Sequence, residues 1–157
     1  MDTISQVLSM DIGFGDIITP SPVLLDYPLL ISTLPQASIM AYSVETVIAE
    51  KMHAVIDLGN QSSRMKDYYD LFHLLHEGNY DPETLTDAVV NTFRNRHTGY
   101  TEDAAFFSPS FKDDLMLTTR WNAFMRRIKS DNSLTFSEVV VYLQNALGSY
   151  WEVLRHD

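Results

Sequence analysis

Between Val44 and Gly59, apolar residues recur at three- and four-residue intervals (Val44, Val47, Ile48, Val55, Leu58), the spacing that lines one face of an α-helix. Ser43 precedes this run as an N-cap, Glu45 sits in the first turn, and Gly59 is placed to stop it. The same period returns from Arg64 to Glu77, where Met65, Tyr68, Tyr69, Phe72 and Leu75 share a face and Gly78 closes the segment. Two such helices joined by the short polar loop "GNQSS" should pack antiparallel. "DPETLTDAVVNTFRNR" then opens with Asp81 as N-cap and Pro82 at the first helical position, with Leu85, Ala88, Val89 and Phe93 facing inward. "SPSFKDDLMLTTRWNAFMRRIK" and "LTFSEVVVYLQNALGSYWEVL" predict one or two more helices, the last capped by Ser137 or Thr135.

Upstream of Tyr42 the period shortens. Leu8, Met10, Ile12 and Phe14 alternate with Ser9, Asp11, Gly13 and Gly15, the mark of a half-buried strand with a small, polar second face. Pro20, Pro22 and Pro28 make residues 18–28 a poor ladder member, which leaves "LLIST" and "ASIMAY" as short strand candidates. The expected fold is therefore α+β: a few short N-terminal strands within residues 1–42, then a mainly helical bundle over 43–157, packed as one unit. Two or three short strands do not make a stable sheet alone, so an exposed sheet edge is expected to pair with another chain, a second copy included.

One position breaks the first helical pattern. Lys51 falls where the next apolar residue of the seam belongs. A lysine there snorkels to solvent, pairs with a buried carboxylate, or projects into a cleft that takes an anion. In "RMKDYYDLFHLL", Asp67 and Asp70 are three apart on one helical face, and an antiparallel hairpin can return that face toward Lys51. The bland alternatives are a surface pair of Asp70 with Lys66 and a helix-start role for Asp67. Asp11 adds a strand carboxylate flanked by small residues, a position that more often serves hydrogen bonding than ligation. Taken together, a strand carboxylate, a misplaced lysine and two helix aspartates suggest a metal-assisted phosphate site, because Mg²⁺ takes carboxylate oxygens and a triphosphate takes a facing cation.

Composition narrows the field. Of 157 residues, 45% are hydrophobic and 20% charged, which fits one globular domain. Eleven Lys and Arg against 21 Asp and Glu leave a formal charge of −10, which opposes nucleic-acid binding by overall potential and leaves only a locally basic groove for it. The absence of cysteine excludes a disulfide framework, a thiolate metal site and a cysteine nucleophile. The N-terminus lacks a signal-peptide pattern, and no apolar run approaches the ~20 residues of a membrane span, so a cytoplasmic protein without a membrane partner is expected.

"MDIGFGDIITP", "YPLL" followed by "AYSVETVIAEKMHAV", "LGNQSSRMKDYYDLFHLL" and "NTFRNRHT" occur in an order and spacing that resemble the AbiEii/AbiGii-type toxin nucleotidyltransferases. The likeness continues more weakly through "WNAFMRR". That family is similar in fold to the DNA polymerase β nucleotidyltransferase superfamily. The resemblance implies a toxin of a toxin-antitoxin, abortive-infection type that transfers a nucleotide from a nucleoside triphosphate to an acceptor, tRNA or another RNA, or a protein. It implies Mg²⁺ as cofactor and an antitoxin protein as partner. It makes Asp11 a metal-binding strand carboxylate, Lys51 a phosphate-contacting lysine, Asp67 the catalytic aspartate of the last motif and Asp70 a second acid beside it, with Arg64 and Lys66 assisting phosphate binding. The family's first motif, a Gly-Ser turn followed by Asp-x-Asp, has no match in the ten residues before Asp11, and Asp16 and Asp26 in a proline-rich stretch do not replace it. Two of the three expected metal carboxylates are thus absent, and the chain is expected to be the C-terminal part of such an enzyme. The alternative is a non-catalytic remnant or interaction module that pairs through its sheet edge.

Other constellations are bland. His73 and His76 lack a third ligand nearby in sequence, and His53 is given no role. Arg120, Arg126, Arg127 and Lys129 with Trp121 and Phe124, joined by Arg94 and Arg96, fit a nucleic-acid or partner surface less well than a solvated face on an acidic protein. Met10, Met40, Met52, Met65, Met116 and Met125 are expected as core filler.

Overall fold

The computed structural model describes residues 7, 15–29, 31, 33–129 and 134–156. Its elements are β1 (Val23–Asp26), β2 (Ser38–Ala41), α1 (Val44–Leu58), α2 (Met65–Glu77), α3 (Pro82–Asn95), α4 (Leu115–Ile128) and α5 (Phe136–Val153). The fold is α+β, with two short antiparallel strands leading into five helices among the described residues. Short 3₁₀ turns at Ala105–Phe107 and Phe111–Asp113 carry the chain from α3 to α4.

The strands are not all where alternation put them. β1 occupies residues 23–26, inside the stretch marked as a poor ladder member, and pairs with β2 in the register Val23↔Ala41 to Asp26↔Ser38. The reason is local: Pro20, Pro22 and Pro28 bracket β1 without entering it, so no ladder donor is lost. Leu29, Ile31 and Thr33 of "LLIST" lie in the connection between the strands, where Leu34 N–H donates to the Ile31 carbonyl at 3.1 Å. The expected strand over residues 7–14, and with it Asp11, lies outside the described residues apart from Val7.

The helices follow their sequence signals closely. Ser43 Oγ accepts from Thr46 N–H, Asp81 accepts from Thr84 N–H, and Thr135 rather than Ser137 caps α5 in a reciprocal box with Glu138. Gly59 and Gly78 terminate α1 and α2 at positive φ, 46° and 68°. The core joins Ile48, Ala49, Met52 and Val55 of α1 with Tyr68 and Leu71 of α2, Leu85, Val89 and Phe93 of α3, and Val139, Val140 and Leu143 of α5. Trp121 is fully buried among Tyr69, Phe124 and Phe136, and its indole N–H donates to the Leu134 carbonyl at 2.9 Å. Met52, Met65 and Met125 are core residues as expected; Met40 and Met116 are instead exposed, and Met10 lies outside the described residues.

The stretch before β1 is moored to the helices by buried polar groups. Thr19 N–H donates to Thr46 Oγ1 at 2.8 Å, the Thr19 carbonyl accepts from Ser43 and Thr46, and Asn91 Nδ2 of α3 donates to Thr19 Oγ1 at 3.0 Å. Thr46 is wholly buried, so Thr46→Val keeps the shape but strands the Thr19 amide. A loss of about 2 kcal/mol in chemical denaturation is expected; a change below about 0.5 kcal/mol would mean that water reaches the amide.

Candidate functional site

The seam of α1 is rotated from the one the spacing drew. Its buried stripe is Ile48, Ala49, Met52, Val55 and Ile56, while Val44, Val47, Lys51 and Ala54 form a half-buried flank. Lys51 therefore interrupts no core stripe. It stands at the border of the core, where a four-carbon stem covers apolar surface and the ammonium reaches a cleft.

The turn through Gly59 to Arg64 brings α2 back along α1. The start of α1 meets the end of the hairpin, with Asp81 N–H donating to Glu45 Oε1 at 3.0 Å, and Lys51 meets the first two turns of α2. Lys51 Nζ lies 2.8 Å from Asp67 Oδ1 and 2.7 Å from Asp70 Oδ2. Both aspartates receive a second cation from their own helix: Arg64 Nε at 3.1 Å from Asp67 Oδ2, and Lys66 Nζ at 2.6 Å from Asp70 Oδ2. Lys51, Asp67 and Asp70 side chains are 19%, 10% and 21% exposed, so the centre of this network is largely dry and its rim, Arg64 and Lys66, is wet. The snorkelling arrangement is not adopted, and the Lys66–Asp70 surface pair exists alongside the Lys51 contact.

The electrostatics follow from this geometry. Burial pulls the Lys51 ammonium toward its neutral form, but the hydrogen bonds it donates to Asp67 and Asp70 outweigh it and the pKa ends above the ordinary 10.5. Burial likewise raises Asp70, and the bonds from Lys51 and Lys66 overcome it, leaving the carboxyl below 3.8. Lys51 and Asp70 are both ionised at neutral pH. Asp67 Oδ2 is buried and, despite the nearby Arg64 Nε, makes no hydrogen bond of good geometry; it is an open acceptor position, as is the buried Glu50 Oε1 that lines the adjoining cleft.

A cleft of about 260 Å³ opens beside this network and is lined by Tyr42, Glu50, Lys51, Arg64, Asp67 and Arg96, among others. Arg96, just past α3, bridges Glu50 Oε2 at 2.8 Å and Asp16 Oδ1 at 2.9 Å, and Tyr42 donates to Asp16 Oδ2 at 2.6 Å. Helical periodicity does not single out Tyr42, Glu50 or Arg96. The available signals were adjacency, since Glu50 precedes Lys51, and the presence of Arg96 in "NTFRNRHT". Asp16, set aside as a metal ligand, serves as an ion-pair partner.

Among the described residues, no group of three or more His, Asp or Glu side chains is placed to hold a metal ion. Asp67 and Asp70 share Lys51 between them, so this donor set does not fit the divalent ion that nucleotidyl transfer implies, and Asp11 lies outside the described residues. His73 and His76 do not converge on a ligand position: the His73 ring packs at 4.3 Å on Tyr69, and His76 stacks on Phe72. His53 accepts or donates at Thr98 Oγ1, 2.8 Å away, and burial lowers its pKa. Among the described residues, no helix is long and apolar enough to cross a membrane.

The family model described as nucleotidyl transferase AbiEii toxin, type IV TA system, matches residues 1–145. No curated protein and no solved structure gives a significant match.

Proposed function

Because the chain belongs to the AbiEii nucleotidyl transferase toxin family, we propose that the Lys51–Asp67–Asp70 network is its nucleotide-handling site. The single observation that carries this reading is the position of Lys51: an ammonium charged at neutral pH at the edge of a cleft, held by two carboxylates that a phosphate can replace. In the state described, Lys51 is neutralised by Asp67 and Asp70. A triphosphate entering beside Arg64 and Lys66 competes for that cation, and each contact it gains with Lys51 loosens Asp67.

The chemistry proposed for the site is an attack by an acceptor hydroxyl on the α-phosphorus of a nucleoside triphosphate. A phosphorus–oxygen bond to the acceptor forms, the bond to the bridging oxygen breaks, and pyrophosphate leaves. Asp67, whose Oδ2 has an open acceptor position, takes the hydroxyl proton; Lys51, Arg64 and Lys66 offset negative charge on the transferring group. Asp70 positions Lys51. Asp11 is assigned to the metal by family likeness, and a divalent ion would supply further charge stabilisation. An antitoxin protein is the partner that a toxin-antitoxin family entails.

Nucleotide binding followed by calorimetry or a fluorescent triphosphate tests the assignment with Lys51→Ala and Asp67→Ala. Equal affinity in wild type and both variants would remove the site from this cleft.

One observation favours a second reading, an interaction module. Leu24, Leu25, Tyr27, Ile31, Leu34 and Met40 of the β1–β2 hairpin and its connection are each 48–69% exposed, which is unusual for so many large apolar side chains in one region. Light scattering decides: a monomer across the micromolar range would count against self-pairing.

A further inference from the structure

The cleft beside Lys51 has a helical floor and two ends. Val47, Glu50, Lys51 and Ala54 stand at positions i, i+3, i+4 and i+7 of α1, so they form one stripe, and all of them line the cleft. Arg64 and Asp67 wall it beside Lys51, whereas Tyr42 and Arg96 wall it beside Glu50. The Lys51 end is the phosphate end of the site proposed above. The Glu50 end has no role in that chemistry.

Glu50 is nevertheless held in place there. Its Oε2 accepts from Arg96 Nη2 at 2.8 Å, and the same nitrogen donates to Asp16 Oδ1 at 2.9 Å. Asp16 is fixed in turn: Tyr42 donates to its other oxygen at 2.6 Å, and Asn95 Nδ2 holds the neighbouring Gly15 carbonyl at 3.0 Å. This chain of contacts anchors one oxygen of the Glu50 carboxylate and leaves Oε1 buried with no hydrogen-bond partner among the described residues. A buried acceptor left unpaired is costly, so the position suits a donor that arrives with a ligand.

That donor is a neutral one. Among the charged groups lining the cleft, Lys51, Arg64 and Arg96 outnumber Glu50 and Asp67, so an ammonium would meet excess positive charge. In a nucleoside triphosphate the neutral donors are the hydroxyls of the sugar and the N–H groups of the base, and the sugar stands next to the phosphates. Glu50 directly precedes Lys51, about 1.5 Å away along the helix axis, so the sugar is the part that meets it when the phosphates lie on Lys51. We propose, resting on the nucleotide-site reading, that Glu50 reads the sugar: its Oε1 accepts a ribose hydroxyl, Arg96 positions the carboxylate, and the site takes ribonucleoside over deoxyribonucleoside triphosphates. Carboxylates take ribose hydroxyls in the same way in dinucleotide-binding folds.

The test is a competition titration. The common ribonucleoside triphosphates, with the 2′-deoxy and 3′-deoxy form of each, displace a fluorescent triphosphate from the protein. Wild type is expected to bind the ribose form about 10- to 100-fold more tightly than at least one deoxy form, the loss of one hydrogen bond to a charged acceptor. The deoxy form that loses affinity identifies the hydroxyl. In Glu50→Ala the ratio should fall to within about twofold; the missing charge acts on both ligands and cancels from the ratio. Arg96→Gln keeps the carboxylate without its anchor and should narrow the ratio, and an unchanged ratio there would overturn the positioning role of Arg96. Equal affinity for all sugars in wild type, a comparison that needs no variant to fold, would overturn the assignment of Glu50, as would a preference that persists in Glu50→Ala. Discrimination among bases with none among sugars would overturn it in favour of a base contact. Lys51→Ala in the same titration separates the failures: unchanged affinity removes the nucleotide site itself, whereas weakened binding with equal sugars in wild type removes only the role of Glu50.

Discussion

Asp67→Asn is expected to slow nucleotidyl transfer by about 10²–10⁴-fold without weakening triphosphate binding. The change is nearly isosteric, and the amide oxygen can still accept from Lys51, so the α1–α2 contact survives. What disappears is the proton acceptor, whose contribution as a general base is typically about 10²–10⁴ in rate. Loss of a negative charge 2.8 Å from Lys51 leaves that cation less neutralised, and triphosphate affinity should hold or rise. Incorporation of a labelled nucleotide, measured beside equilibrium binding, separates these effects. Unchanged incorporation together with a lower melting temperature would make Asp67 a structural ion-pair partner and nothing more.

Lys51→Met is expected to act in the opposite sense on binding and to cost stability as well. Triphosphate affinity should fall about 10- to 100-fold, the equivalent of one charge-assisted hydrogen bond. Removing the lysine also leaves Asp67 and Asp70 facing each other with only Arg64 and Lys66 at the rim. Breaking a fully buried pair costs about 3–5 kcal/mol; these side chains keep 10–21% exposure, and about 2 kcal/mol at neutral pH is the discounted expectation.

The pH dependence has a definite sign. Asp70 is depressed in the folded state, so its contribution is present above the ordinary 3.8 and is lost as pH falls through the folded value. Lys51 is raised, so its contribution is complete below 10.5 and is lost as pH rises through the folded value. The stability difference between wild type and Lys51→Met should therefore be flat from about pH 4 to pH 10 and shrink on both sides. Urea denaturation across that range measures it, and a difference that grows on acidification would contradict the assigned pairing.

The likeness of "VETVIAEKMHAV" and "SRMKDYYDL" to one family points to Lys51, Arg64, Lys66, Asp67 and Asp70, which the structure brings into one ion-pair network. Physical reading of the same stretches reached a narrower result: an anomalous lysine and two aspartates on a face that a hairpin could return to it. Both rest on short-range information, the helical period and the length of the loop between two helices, which sequence carries directly. Caps and stops at Ser43, Gly59, Gly78, Asp81 and Thr135 were legible for the same reason, since each satisfies backbone groups within a few residues of itself.

The differences from the structure each have a local physical reason. β1 was missed because proline statistics do not say whether a proline flanks a ladder or enters it. The α1 face read from the spacing shares Ile48 and Val55 with the core, but Val44 and Val47 lie on its half-buried flank and Leu58 is exposed, while Ala49 and Met52 complete the buried stripe.

By itself, then, the sequence determined the α+β class, three helices with their ends followed by one or two more, and the aspartates of the next helix as candidate partners for Lys51. Only the tertiary structure decided which cations share a cleft. Arg96 turns to Asp16 and Glu50, separated from it by 80 and 46 positions, and Arg120 and Arg127 come opposite Arg64 and Lys66. Contacts across such separations depend on how α3 and α4 pack on the hairpin, and the direction in which a packed helix presents its polar face is set by the core beneath it, not by neighbours in the chain.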